Sequence, residues 1–218
     1  MSDEATPRYS IKELKDLYDP IKGQIDARLG DFRQIWEKAN DEELFCELVF
    51  CLLTPQSKAK TCWKAVQRLN RKCMISEGEP CQIQEELFGV RFNRRKAEYI
   101  CLAKKTFSSR SLRTTLKELN SPREAREWLV ENVLGLGYKE ASHFLRNIGL
   151  GEDLAILDRH ILKNLMLLGV IRVVPTSLSR KTYLEIERKM TAFSKEAGIP
   201  MSKLDLLLWY KEAGEVFK

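Results

Sequence analysis

Apolar side chains recur at intervals of three and four residues along most of this chain, the spacing of one face of a helix. Ile11, Leu14, Leu17, Tyr18, Ile21 and Ile25 keep that spacing from Tyr9 to about Arg28, despite Pro20. Asp41 to Leu53 is clearer: Asp41 can cap, Leu44, Phe45, Leu48, Val49 and Leu52 form one broad apolar face, and Pro55 stops the helix. A helix is expected from Ser57 to Asn70, a loop over 73–82 around Gly78-Glu-Pro80, and a short helix at Gln84–Phe88 that ends at Gly89. Asn93 to Phe107 turns Ala97, Ile100 and Cys101 inward, and two further helices follow near 110–119 and 122–133.

The next stretch is different. Ser121-Pro122 offers an N-cap and first residue for a helix carrying Trp128, Leu129 and Val133, which then meets Gly135 and Gly137. A new amphipathic run begins at once, with Ala141, Phe144, Leu145 and Ile148 on one face and Gly149 and Gly151 as its stop. This predicts helix, tight hairpin, helix over about 123–149. Glycines suit such a turn because positive φ costs them little, and their bare N–H groups at a helix start favour an anion such as a phosphate. Lys139 lies in the first turn of the second helix. Asp158 lies nineteen residues on (158 − 139), ahead of the helical pattern Ile161, Leu162, Leu165, Leu168. Ile171 to Pro175 is the one β-like stretch, too short to imply a sheet. A long helix through Tyr183, Ile186, Met190 and Phe193 ends at Gly198-Ile-Pro200, and a last one uses Leu204, Leu207, Leu208 and Lys211. The expected class is all-α, about ten helices in a single domain over 1–218 that divides into two lobes.

Composition narrows the function. The 218 residues are 44% hydrophobic and 31% charged, with no apolar run long enough to span a bilayer. Met1 to Thr6 reads as neither signal nor transit peptide, so a cytoplasmic, nucleoid-associated protein is expected. The net charge of +6 is unevenly spread. Residues 1–50 hold seven basic and twelve acidic side chains, 57–72 hold six and none, and 91–105 hold six and one. A basic middle behind an acidic start suits a face for phosphates, although amphipathic helices also carry charged outer faces. Cysteines stand at 46, 51, 62, 73, 81 and 101, with no Cys-x-x-Cys pair and only two histidines in the chain. That spacing argues against zinc and iron–sulfur sites; no metal and no cofactor is expected.

The hairpin Leu134-Gly-Leu-Gly-Tyr-Lys-Glu-Ala141, with Leu157-Asp-Arg-His160 beyond it, resembles the helix-hairpin-helix DNA glycosylase superfamily. Leu53-Thr-Pro-Gln-Ser57, Val90 to Ile100 and the ending Trp209 to Lys218 are most similar to the compact archaeal-type 8-oxoguanine DNA glycosylases. The resemblance implies two helical lobes flanking a DNA-binding cleft, no iron–sulfur cluster, and a monomer acting on double-stranded DNA that contains 8-oxoguanine or an abasic site. It puts Lys139 at the nucleophilic lysine of the glycosylase/AP-lyase members and Asp158 at the catalytic aspartate. It makes Arg91 and Phe92 a probe of the emptied duplex position, and Gln56 a filler of the void. It brings Lys218 into the base pocket, where a terminal carboxylate can accept the N7–H that 8-oxoguanine has and guanine lacks.

The residues support that chemistry and leave simpler roles open. A lysine amine, favoured in its neutral form by a helix N-terminus, can attack C1′ and go on to a Schiff base, while a carboxylate steadies charge developing on the sugar. The base must first leave the stack. Trp209 can stack on it or anchor the core beside Leu207 and Leu208; Arg94, Arg95, Lys58 and Lys60 can follow phosphates. Asp158 can be a helix N-cap, Phe92 a packing residue, Gln56 a turn contact and Lys139 a solvated surface lysine. Two other functions stay open: excision of another oxidised base, and a non-catalytic DNA-binding module, against which Asp158 argues.

Overall fold

Short polar caps set several of the helix starts. Ser10, Asn40, Ser111, Ser121 and Ser179 each accept the backbone N–H three residues on, at the start of α1 (Ile11–Tyr18), α3 (Asp41–Leu53), α7 (Leu112–Lys117), α8 (Pro122–Asn132) and α11 (Arg180–Ala197). The remaining helices are α2 (Lys22–Lys38), α4 (Ala59–Arg71), α5 (Pro80–Glu86), α6 (Asn93–Thr106), α9 (Tyr138–Asn147), α10 (Arg159–Leu167) and α12 (Met201–Ala213). A computed structural model describes residues 9–218, and the leader reading of Met1 to Thr6 lies outside them. Among the described residues there are twelve α-helices and no strand, against about ten helices expected. Ile171 to Pro175 is bend and coil. No described helix is long and apolar enough to cross a membrane.

Two boundaries differ from the periodicity, both at prolines. Pro20 lacks an N–H, and the first helix tightens into a 3-10 turn over Asp19–Ile21 before α2 runs on to Lys38, well past Arg28. Pro80 starts α5 instead of lying in a loop, with the Gln82 side chain accepting from Glu79 N at 2.9 Å.

The chain divides into two compact units. One comprises the described residues up to Phe32 with Glu152–Lys218, and the other Arg33–Gly151. In the first, α12 is central: Leu204, Leu206, Leu207 and Leu208 are fully buried, and α1, α10 and α11 all pack on it. Lys203 pairs with Asp26 at 2.5 Å, tying α12 to α2. In the second, α9 takes that place, buried along almost its whole length between α8 and α3. Ala141, Phe144, Leu145 and Ile148, the expected apolar face, have no exposed area. Asn147 Nδ2 donates to Glu47 Oε2 of α3, and Phe50 meets the His143 ring edge-on at 5.5 Å. Cys46, Cys51, Cys62 and Cys101 are buried free thiols, while Cys73 and Cys81 are exposed.

Candidate active site at the helical hairpin

The hairpin joins α8 to α9 through Val133 to Gly137. Its two glycines do different work. Gly135 has φ 96°, and a Cβ there would stand 2.4 Å from Cδ2 of Tyr99 on α6. Both the backbone conformation and the ring exclude a side chain. Gly137 has an extended backbone at φ −97°, and a Cβ would meet only the tip of Glu140, at 3.2 Å. The positive φ expected at both glycines thus holds at one. Leu136 is buried beneath the turn and Leu134 is 61% exposed on top of it.

Lys139 stands in the first turn of α9, with its Nζ 3.1 Å from Glu140 Oε1. Glu140 Oε2 accepts from Gly137 N at 3.3 Å. One carboxylate therefore both caps the helix start and holds the amine. Sequence reasoning passed over Glu140, although Gly137 and Glu140 have the spacing of an N-cap and its N3 acid. It also left the helix start open for a phosphate, whereas Glu140 already occupies the Gly137 N–H.

Next to this region in the same unit are two turns with unusual backbones. Gln56, after the end of α3, has φ 54°, and Phe92, at the N-cap of α6, has φ 57°. Residues with side chains rarely adopt this conformation, at a cost of about 1–3 kcal/mol each. Both are exposed; Phe92 keeps 57% of its surface open, which removes core packing as its role. Arg91 lies with its guanidinium 5.7 Å from the Phe92 ring centroid. Arg94 and Arg95 are exposed on the first turn of α6, with Arg94 3.6 Å from Glu98. Lys96, counted among the basic face, is instead 4% exposed and donates to Leu53 O, Pro55 O and Ser57 Oγ. Two more of the basic residues are tied up in packing. Arg68 donates to Glu86 O at 2.7 Å under the Phe88 ring, and Lys104 donates to Gly78 O at 3.0 Å. Lys58 and Lys60 are exposed.

The other unit holds Asp158, the N-cap of α10. Its Oδ1 accepts from both His160 N and Ile161 N at 2.8 Å. Among the described residues Oδ2 accepts no hydrogen bond, so the cap fixes the carboxylate and leaves one oxygen for other work. The segment leading to it, Leu154 to Leu157, is buried and irregular, and α11 pins it. Ala155 N donates to Glu187 Oε2 at 2.9 Å; the Tyr183 hydroxyl donates to Ala155 O at 2.6 Å and accepts from Leu157 N at 3.3 Å. Tyr183 had been read as apolar packing, and Glu187 had no assigned role. A carboxylate beside Ile186 on a buried helix face was the available signal.

Trp209 is half-buried on α12, with its ring 5.5 Å from that of His160, two residues past Asp158. Glu212 gathers His160, Lys163 and Asn164 around its carboxylate, which these donors hold below the usual carboxylate range against the opposing effect of burial. Lys211 donates to Asn164 Oδ1 at 2.7 Å. Lys218 follows Gly214, whose φ of 73° ends α12, and is half-exposed. No group of three or more His, Cys, Asp or Glu side chains among the described residues is placed to hold a metal ion.

Residues 25–199 match the family described as 8-oxoguanine DNA glycosylase. The chain belongs to that family. It is 44% identical over 211 residues to the 8-oxoguanine DNA glycosylase/AP lyase of Fusobacterium nucleatum, covering 95% of this chain and 97% of that one. It is 39% identical to that of the archaeon Methanocaldococcus jannaschii, with 95% and 97% covered. The crystal structure of the Thermotoga maritima 8-oxoguanine DNA glycosylase superposes with a TM-score of 0.86 at 35% identity, over 95% of this chain and 98% of that one. The M. jannaschii glycosylase/lyase in complex with a 15-mer DNA containing 8-oxoguanine superposes with a TM-score of 0.85 at 36% identity, over 95% and 99%. The fold expected from the hairpin is thus that of a family found in bacteria and archaea alike.

Two predictions follow from this geometry. Gly135→Ala adds backbone strain to a clash with the Tyr99 ring, and should cost at least about 2 kcal/mol, or roughly 4 °C in Tm. Gly137→Ala should cost less than about 1 kcal/mol, because only a flexible side chain must shift. Thermal melts of the pair test the asymmetry; equal losses would contradict it. Tyr183→Phe removes one donor and one acceptor from the segment before Asp158. It should lower stability by about 1–3 kcal/mol in urea titrations at an unchanged m-value.

Proposed function

We propose that this chain removes 8-oxoguanine from double-stranded DNA and then cleaves the abasic strand, with Lys139 as nucleophile and Asp158 as its partner carboxylate. The observation that carries the assignment of Lys139 is its place in the first turn of α9, directly behind a hairpin whose Gly135 admits no side chain. The relatives named as 8-oxoguanine DNA glycosylase/AP lyases span nearly the whole chain and support the choice of lesion.

The steps use these groups in order. The target nucleotide leaves the duplex, and Gln56, Arg91 and Phe92 enter the vacated position. Gly135 and Gly137 bring hairpin backbone against the DNA, and Arg94 and Arg95 contact phosphates. Trp209 stacks on the flipped base, and Lys218 takes part in reading it. Lys139 Nζ leaves Glu140, gives up a proton and attacks C1′; the C1′–N9 bond breaks and the base departs with its electron pair. Asp158 Oδ2 steadies the positive charge on the sugar and can take the proton lost by the amine. The adduct opens to a Schiff base, loss of a C2′ proton expels the 3′ phosphate, and water releases the lysine. On this reading the protein works as a monomer in the cytoplasm, on nucleoid DNA, and needs no cofactor for these steps.

Lys139→Gln should abolish the borohydride-trapped adduct with an abasic duplex while lesion DNA still binds; trapping at wild-type yield would reject Lys139. Asp158→Asn keeps Oδ1 and both cap hydrogen bonds. Its stability should change by less than about 1 kcal/mol, since only the charge at the helix start is lost. Excision of 8-oxoguanine should fall at least a hundredfold in single-turnover assays. Normal cutting by this variant would return Asp158 to a purely capping role.

A further inference from the structure

Lys96 is a buried lysine, 4% exposed, with no counter-ion at hydrogen-bond distance among the described residues. Its three ammonium N–H groups meet three acceptors: Leu53 O and Pro55 O at 2.7 Å and Ser57 Oγ at 3.1 Å. Leu53 O is the last carbonyl of α3 and also accepts from the Cys62 thiol at 3.1 Å. Ser57 Oγ accepts a second time, from Arg91 N at 3.0 Å. One cation thus spans Gln56 on both sides, at Pro55 and Ser57, and through Ser57 reaches the residue before Phe92. Gln56 and Phe92 are two of the three non-glycine residues with positive φ among the described residues.

We propose that Lys96 is a positioning residue: its ammonium locks the Gln56 turn to the Arg91–Phe92 turn and holds both exposed side chains ready to enter the emptied duplex position. This rests on the reading above that Gln56 and Phe92 enter DNA. An isolated turn would relax out of the left-handed region, because nothing local favours a bulky side chain there. A neutral side chain at 96 could not donate to three acceptors at once.

The surroundings make the clamp sensitive to pH. Burial pushes the Lys96 ammonium from its ordinary 10.5 down to about 8. Lys139 of α9 and Arg91 push the same way, while Cys62 of α4 and Glu140 of α9 oppose them. The Cys62 thiol is itself pushed up to about 11, chiefly by burial. Above pH 8 Lys96 is increasingly a neutral amine, with two donors for three acceptors.

The test compares single-turnover excision of 8-oxoguanine from a duplex with borohydride trapping on a single-stranded abasic oligonucleotide, where no duplex void exists. Lys96→Met should slow duplex excision at least tenfold and change single-strand trapping by no more than twofold. Ser57→Ala, which removes only the bridge to Arg91, should slow duplex excision several-fold and serves if Lys96→Met does not fold. In the wild type, the ratio of duplex to single-strand rates should fall as pH rises from 7 to 9, and in Lys96→Met it should stay flat. Stability runs the opposite way: a lysine that holds its proton less tightly when folded gains stability over the Met variant as pH climbs from 8 to 10.5. A loss of activity by general loosening could not show both signs. The inference is overturned if both rates fall together in both variants, or if the two ratios share one pH profile. It is also overturned, with the parent reading intact, if Gln56→Ala and Phe92→Ala slow duplex excision but the Lys96 and Ser57 variants do not. If Gln56→Ala and Phe92→Ala leave duplex excision unchanged, the parent reading fails and the clamp fails with it.

Discussion

The constraint on which the unit Arg33–Gly151 depends is the contact between Gly135 and Tyr99. A side chain is excluded there twice, by a φ of 96° and by a ring that would lie 2.4 Å from a Cβ. The contact fixes the hairpin against α6. The same helix starts at Asn93, directly after Phe92, and carries Lys96 one turn before Tyr99. A single rigid element therefore connects the hairpin that presents Lys139 to the two turns that present Gln56 and Phe92. Placing reactive groups on helices, and strained groups at their ends, gives positions that loops alone could not hold.

Asp158 caps a helix with one oxygen and, on the proposed reading, serves the chemistry with the other. Capping uses Oδ1, which accepts two N–H groups and thereby satisfies two of the orphan donors of α10. The carboxylate is then held by the helix and not by a mobile rotamer, and the second oxygen inherits that fixed direction. The buried stretch before it has no regular secondary structure of its own. Its backbone groups are answered by Tyr183 and Glu187 side chains, and in a buried segment they must be answered somewhere. The alternatives left open by the sequence, helix cap or catalytic carboxylate, are thus compatible.

Much of the fold was legible because helices announce themselves through a period. Ala141 to Ile148 and Tyr183 to Phe193 lie on the faces their spacing implied, whereas α3 is buried around its whole circumference, Cys46, Glu47, Phe50 and Cys51 included, and the expected Phe45 is only half-buried. Prolines were harder, since Pro20 tightens a helix that continues and Pro80 opens one, and the residue type does not say which. Of the candidate site, the place of Lys139 in the first turn of α9 and of Asp158 at the cap of α10 was legible from the hairpin and the cap pattern. Lys96, Tyr183 and Glu187 were not, because each acts through a partner distant in sequence or through a burial that charge alone argues against; Glu140 had a readable N3 spacing that was passed over. Lys96 was counted with the solvated basic face for that reason; 43 residues separate it from Leu53, the carbonyl it meets.

The magnitudes favour a charged clamp at that point over a neutral one. Two left-handed turns cost together about 2–6 kcal/mol. Hydrogen bonds from a charged group contribute about 1.5–3 kcal/mol each, against about 0.5–1.5 for neutral pairs. Three neutral bonds would sit at or below the strain, and three charged ones reach above it. Burial of the ammonium takes part of that margin back, which is what its lowered proton affinity expresses. The resulting balance is narrow, and on the proposed reading a narrow balance suits residues poised in the free protein that still adjust when a nucleotide leaves the stack. A turn held more firmly would resist that adjustment, and one held less firmly would lose the side-chain directions before DNA arrived.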